Sequence, residues 1–207
     1  MKIQNIKCTI QRRHGQSLLE LIVAVGIISI ALVALLSLSV VTVSGLTASR
    51  ESFLAYNYAR EGVELVQDYR DSAFLSRTPL DTALPVGTYR VDAFDFDGGI
   101  TSPASVSATC VSSYADECRL YISSQSRIMH ARSDRVLTAT PFYRMITLLN
   151  LCIPASGAIT ALSERSVGCP GTQVLVGKKA VITVTWKSKG SNRKVVLVKE
   201  FYDWRSL

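Results

Sequence analysis

The sequence predicts an α+β fold: a long N-terminal helix, first membrane-spanning and then amphipathic, packed on an antiparallel β-sheet. Three observations carry this expectation. Residues 21–49 form 29 consecutive positions without a charge. Residues 48–75 keep a helical period but divide into an apolar and a polar face. Beyond Pro79 the apolar positions alternate with period two and end in a hairpin pattern.

The chain has 207 residues, 48% of them apolar and 19% charged. That suits one membrane segment followed by one ordered domain. The net charge of +7 is a poor guide to a polyanion partner. Lys2, Lys7, Arg12 and Arg13 all precede Gly15 without an acid among them, and setting them aside leaves 19 basic side chains against 16 acidic ones.

As a helix, 29 charge-free residues extend about 43 Å, more than the roughly 30 Å of bilayer hydrocarbon. The four basic residues before the run hold that end in the cytoplasm and send the rest across. A secretory signal peptide is the rival reading, with 46–48 as a small-residue cleavage site. Its apolar core is usually about 7–15 residues, well short of this run.

In residues 48–75, Ala55, Tyr58, Ala59, Gly62, Val63, Leu65, Val66 and Tyr69 share one helical face. Asn57, Arg60, Glu64, Gln67, Asp68 and Asp71 share the opposite one. Gly62 costs up to about 1 kcal/mol relative to alanine inside a helix. On the apolar face, its missing side chain allows a sheet to approach closely. Residues 76–79 end the helix, because the residue before a proline is biased away from helical angles. Strands are expected at 87–94, Arg119–Ser123, 142–151, 180–186 and 193–202, the last two joined across a turn at 187–192 containing Gly190 and Asn192. Residues 98–115 and 154–171 read as cysteine-bearing loops.

Cys8 precedes the apolar run, whereas Cys110, Cys118, Cys152 and Cys169 follow it, and no C-x-x-C occurs. Four cysteines beyond a membrane segment point to an oxidising compartment and two disulfides, with three pairings available. We favour Cys110–Cys118 and Cys152–Cys169, since each closes a short loop. Asp92, Asp95, Asp97 and Gly98 hint at calcium, but Ala93 occupies the first EF-hand ligand position and no glutamate follows at the required distance. A strand end running into an acidic turn is the preferred reading. Lys187, Lys189, Arg193 and Lys194 cluster at the hairpin tip and form a candidate polyanion contact, weighed against ordinary solvation and edge protection. No nucleophile–base pair or metal-ligand spacing is visible, so neither an enzyme nor a cofactor is expected.

One block remains. Arg12, Arg13, Gly15, Ser17, Leu18, Leu19 and Glu20 run into LIVAVGIISIALVALL. A carboxylate entering such a run is costly in hydrocarbon, at roughly 2.5 kcal/mol or more. The block resembles the class III signal of type IV prepilins and pseudopilins. That resemblance implies cleavage between Gly15 and Gln16 by a membrane aspartyl prepilin peptidase, and methylation of the new N-terminus. It also implies an assembly role for Glu20, fifth in the mature chain. The implied parts are a leader (1–15), a membrane and filament-core helix (16–47), its amphipathic continuation (48–77) and an extracytoplasmic β-rich head (78–207). The pattern departs from the family at Gln16, where phenylalanine is usual, in lacking a proline in the apolar helix, and in placing its cysteines before the last hairpin. Together these point to an accessory subunit: a minor pilin, or a secretion pseudopilin of the same architecture. The expected partners are other pilin subunits, the prepilin peptidase, the pilus or secretion assembly platform and the lipid bilayer, with DNA a minor candidate. The expected location is the inner membrane, N-terminus inside, and then a filament. The alternative is a single-pass anchored binding domain that never polymerises.

Overall fold

The computed structural model describes residues 14–92, 104–123, 128–130, 137–156 and 162–203, and for residues 14–17 the backbone alone. The chain divides into two units, Met1–Ser49 and Arg50–Leu207. Helix α1 (His14–Leu75) contributes to both.

In the second unit, α1 buries the face that periodicity assigned to it. Ala55, Ala59, Leu65 and Val66 are buried, with Tyr58, Val63 and Tyr69 packed beside them. Asn57, Arg60, Glu64, Gln67 and Asp68 are exposed. The helix ends as a Schellman turn. The Thr78 N–H reaches back to the Ala73 carbonyl at 2.9 Å, the Arg77 N–H to Phe74 at 3.1 Å, and Arg77 takes a left-handed φ of 57°. A short helix α2 (Leu80–Ala83) follows Pro79, where a change to β texture was expected. Leu80 and Leu84 bury themselves in the core from it.

Eight strands form one antiparallel sheet among the described residues: β1 (Gly87–Arg90), β2 (Ala104–Ser105), β3 (Arg119–Ser123), β4 (Ile128–His130), β5 (Leu137–Pro154), β6 (Ser163–Arg165), β7 (Gln173–Ser188) and β8 (Ser191–Tyr202). The long β5 is central. Along one side it pairs in turn with β3, β1 and β6, and along the other with β7, which carries β8. The pairing with β3 shifts register between Arg119 and Tyr121, opposite Pro141 of β5. A proline has no N–H for the ladder, and a bulge is where a sheet tolerates one. Thr140 spans the irregularity, donating its hydroxyl to the Leu120 carbonyl at 2.7 Å.

Strands β5 and β7 outrun their sequence-read bounds, because 137–141 and 173–179 mix polar with apolar residues and blur the alternation. The expected strand at 87–94 is helped by Tyr89 and Val91, both buried, while its positions 93 and 94 lie outside the described residues. The six-residue turn at 187–192 shrinks to two. Lys187 pairs with Asn192 and Ser188 with Ser191, leaving Lys189 (φ 49°) and Gly190 (φ 80°) as a type I′ turn.

The main core lies between α1 and one sheet face, where Phe142, Ile146, Leu148, Ala180, Ile182, Val184 and Trp186 meet the helix. Gly62 sits at its closest approach. A Cβ added there would stand 2.9 Å from Ile182 Cγ2 and 3.4 Å from Arg144 Cδ. Gly62→Val is therefore expected to lower the stability of this unit by about 2 kcal/mol, the scale of overpacking. Thermal unfolding of the detergent-solubilised chain, followed by near-UV circular dichroism, checks this. An unchanged or raised midpoint would mean the interface has slack.

Candidate processing and assembly segment

The peptide bond between Gly15 and Gln16 lies in the first turn of α1. Glycine costs about 1 kcal/mol relative to alanine in a helix, so this turn opens more easily than the aliphatic turns behind it. Arg12 and Arg13 lie outside the described residues. From residue 18 to residue 49 every side chain is exposed except the half-buried Ser44, and Glu20 is the only charged one. Leu18, Leu19, Leu21 and Ile22, which flank Glu20 in sequence, are all well exposed. So much apolar surface is strongly unfavourable in water.

The polar atoms of this segment are arranged for a dry environment. Ser29, Ser37, Ser39, Thr42 and Thr47 each donate their hydroxyl to the carbonyl four residues back, at 2.8–3.0 Å, and Ser44 donates to Val41 at 2.9 Å. Each hydroxyl is thus satisfied within its own helix. The segment is long and apolar enough to cross a membrane. Glu20 stands out because no such local device neutralises a carboxylate.

In the second unit, disulfides join Cys110 to Cys118 and Cys152 to Cys169. The first closes a small second core against the sheet face that α1 does not cover. Cys110, Val111 and Cys118 are buried there with Tyr143 and Met145. Thr185 donates to the Val111 carbonyl at 2.8 Å, and the Tyr114 ring meets Tyr143 edge-on at 5.1 Å. The second ties the 155–172 connection to β5, where Cys152 is fully buried. In the chain-entropy view, closing a loop of ~15 residues stabilises by about 3 kcal/mol.

The four basic residues of the hairpin are distributed over its turn and both faces of the sheet, with Lys187 and Lys194 on the same face. Lys189 occupies the turn, Arg193 lies opposite Trp186 on the helix-covered face, and Lys194 lies opposite Thr185 on the other face. Lys187 places its ammonium over the Tyr114 ring, 4.5 Å from the centroid. Of the acidic cluster considered for calcium, Asp95, Asp97 and Gly98 lie outside the described residues. Asp92 is engaged elsewhere.

Its partner belongs to a buried polar network that the sequence reading did not single out. Arg144, on β5, is fully buried. It donates to the Tyr58 carbonyl of α1 at 3.2 Å and to the Val91 carbonyl at 3.0 Å, and pairs with Glu61 at 3.4 Å. The His130 Nε2 lies 3.3 Å from the Arg144 carbonyl, and its Nδ1 lies 2.6 Å from Asp92 Oδ1. Both ring nitrogens thus lie within hydrogen-bond distance of an oxygen. A sequence signal for Arg144 existed: period two places it beside Phe142 and Ile146, on the core face. The same rule finds Lys178, fully buried and 2.6 Å from Asp81 Oδ1.

Burial pushes the Asp92 carboxyl up, but hydrogen bonds from the His130 ring and backbone, with the charges of His130 and Arg144, outweigh it and hold the carboxyl below its usual range. A carboxylate depressed in the folded state stabilises fully above its unfolded pKa, near about 4, and loses that contribution as the pH falls through the folded value. The stability gap between wild type and Asp92→Asn is accordingly expected to be largest at neutral pH and to close below about pH 4. Urea midpoints across that range measure it, and a gap independent of pH would contradict the assignment. Among the described residues, no group of three His, Cys, Asp or Glu side chains gathers to hold a metal ion.

Residues 10–36 match the family model described as the prokaryotic N-terminal methylation motif. The matched stretch holds Arg12, Arg13, Gly15, Gln16, Glu20 and the first half of the apolar run. No curated protein and no solved structure matches the chain.

Proposed function

We propose that this chain is a minor type IV pilin or secretion pseudopilin: a structural subunit held in the inner membrane, trimmed after Gly15 by prepilin peptidase, and assembled into a filament. The supporting observation is the methylation motif at 10–36, seated on a helix whose described apolar side chains face outward. Such a helix suits two environments in succession. Before assembly the bilayer surrounds it; afterwards the helices of neighbouring subunits do. The disulfide-stapled sheet unit forms the extracytoplasmic head, and the other subunits and the assembly platform are its partners.

In this reading Gly15 admits the chain to the peptidase, because any side chain at that position crowds the scissile bond. Gly15→Val is expected to leave the chain at full length in the membrane fraction and absent from sheared filaments. Immunoblots of both fractions test this. Full-length Gly15→Val protein in filaments at the wild-type level would contradict the proposal.

A further inference from the structure

Strand β8 is 12 residues long and pairs only with β7 among the described residues. Among the described residues its other side is an unpaired edge. The two-residue turn closes on the Ser188–Ser191 pair, which sets the alternation of the ladder. The amides of Arg193, Val195, Leu197 and Lys199 point to β7. Those of Asn192, Lys194, Val196, Val198 and Glu200 point away from it. An unpaired edge of this length is a template for another strand.

The side chains along this edge form a pattern. On the face shared with Ile182 the order is Arg193, Val195, Leu197, Lys199: cation, two apolar residues, cation. On the opposite face it is Lys194, Val196, Val198, Glu200. On that opposite face Val196 is 44% and Val198 52% exposed, while Val195 and Leu197 are half-buried, packed against the main core and still partly open to solvent. Arg193, Lys194 and Lys199 make no ion pair with any described residue, whereas Glu200 accepts from the Tyr202 hydroxyl at 2.7 Å. Three cations against one acid repel a second copy of the same edge and attract an acidic one.

We propose that β8 is a docking edge for an extended acidic segment of another protein, which adds to the sheet as a further strand. Its recognition pattern is acid-x-apolar-x-apolar-x-acid. The two acids lie beside Arg193 and Lys199, and the two apolar residues beside Val195 and Leu197. Main-chain bonds to the outward amides supply the attachment, and the alternate side chains supply the selection. This inference stands apart from the processing and filament reading, since it concerns the sheet edge alone.

The test uses the full-length chain in detergent micelles and a fluorescein-labelled synthetic peptide carrying that pattern, about ten residues long to cover a strand. Fluorescence anisotropy should show saturable binding. Arg193→Glu/Lys199→Glu should weaken it at least about tenfold. Val198→Pro should do the same, because it removes an outward N–H and leaves the bonds to β7 intact. Lys187→Glu/Lys189→Glu should leave it within about twofold. The charge-reversal pair lies on the surface, so it keeps the test decisive if the proline variant fails to fold. Three results would overturn the proposal: no binding at about 1 mM peptide, binding indifferent to both β8 variants, or preferential binding of duplex DNA that is lost with Lys187→Glu/Lys189→Glu. Self-association of the wild-type chain blocked by Val198→Pro would overturn it too, in favour of a second copy at this edge.

Discussion

Arg144→Met is expected to lower the stability of the sheet unit by about 3 kcal/mol, a large share of the roughly 5–15 kcal/mol typical of a domain. The side chain joins three elements at once. It bonds to the Tyr58 carbonyl of α1 and the Val91 carbonyl beyond β1, from a position on β5. Methionine keeps most of the volume but removes every donor, so the loss is that of charge-assisted hydrogen bonds with carbonyls left behind. Glu61 is partly exposed and recovers water, which keeps the cost from growing further. Arg144→Lys should rescue little, because a single ammonium cannot reproduce a fork aimed at two carbonyls. Urea unfolding of both variants checks this. A methionine variant within about 0.5 kcal/mol of wild type would show the network to be incidental.

Glu20→Ala is expected to leave membrane insertion and leader removal intact while sharply reducing the filament-bound fraction. Removing a charge makes the segment easier to insert. Assembly is different. The proposed cleavage after Gly15 would create an α-amino group on Gln16, with an intrinsic pKa of about 8 and therefore a positive charge at neutral pH. Within one chain that amine lies one turn from Glu20 and can reach water. In the proposed filament, staggered neighbours would bring the amine of one subunit to Glu20 of the next in a dry bundle. Buried ion pairs add little net stability, but a lone buried charge is costly, so the pair favours one axial register over others. The ratio of filament-bound to membrane-bound protein for wild type, Glu20→Ala and Glu20→Gln measures the effect. Equal ratios for all three would show that apolar packing alone drives assembly.

The parts legible in the sequence were those written in periodicity. The face of α1 from Ala55 to Tyr69 and the close approach at Gly62 followed from 100° spacing, since tertiary packing there agrees with the local pattern. The final hairpin followed from alternation flanking Gly190. The short strands β2, β4 and β6 were not legible, because two or three residues carry no period and their pairing is decided by β5. Helix α2 was hidden for the same reason. Arg144 and Lys178 are a different case. Their core-facing phase was readable, but the partners of their side chains lie 28 to 97 residues away in sequence, and only folding brings them together. In the N-terminal segment the motif was legible as chemistry, from Arg12 through Gly15 to Glu20, because its residues are contiguous in sequence and need no folding to be recognised.

The central claim turns on where the mature chain begins. Mass spectrometry of the N-terminal peptide, taken from membrane and filament fractions of cells that carry prepilin peptidase, reads this directly. A chain starting at Gln16, with or without an added methyl group, is the predicted result. A chain starting near Ser49 would mean an ordinary signal peptide, and one retaining Met1 in the filament fraction would mean that Gly15 is not a processing site; either result contradicts the account.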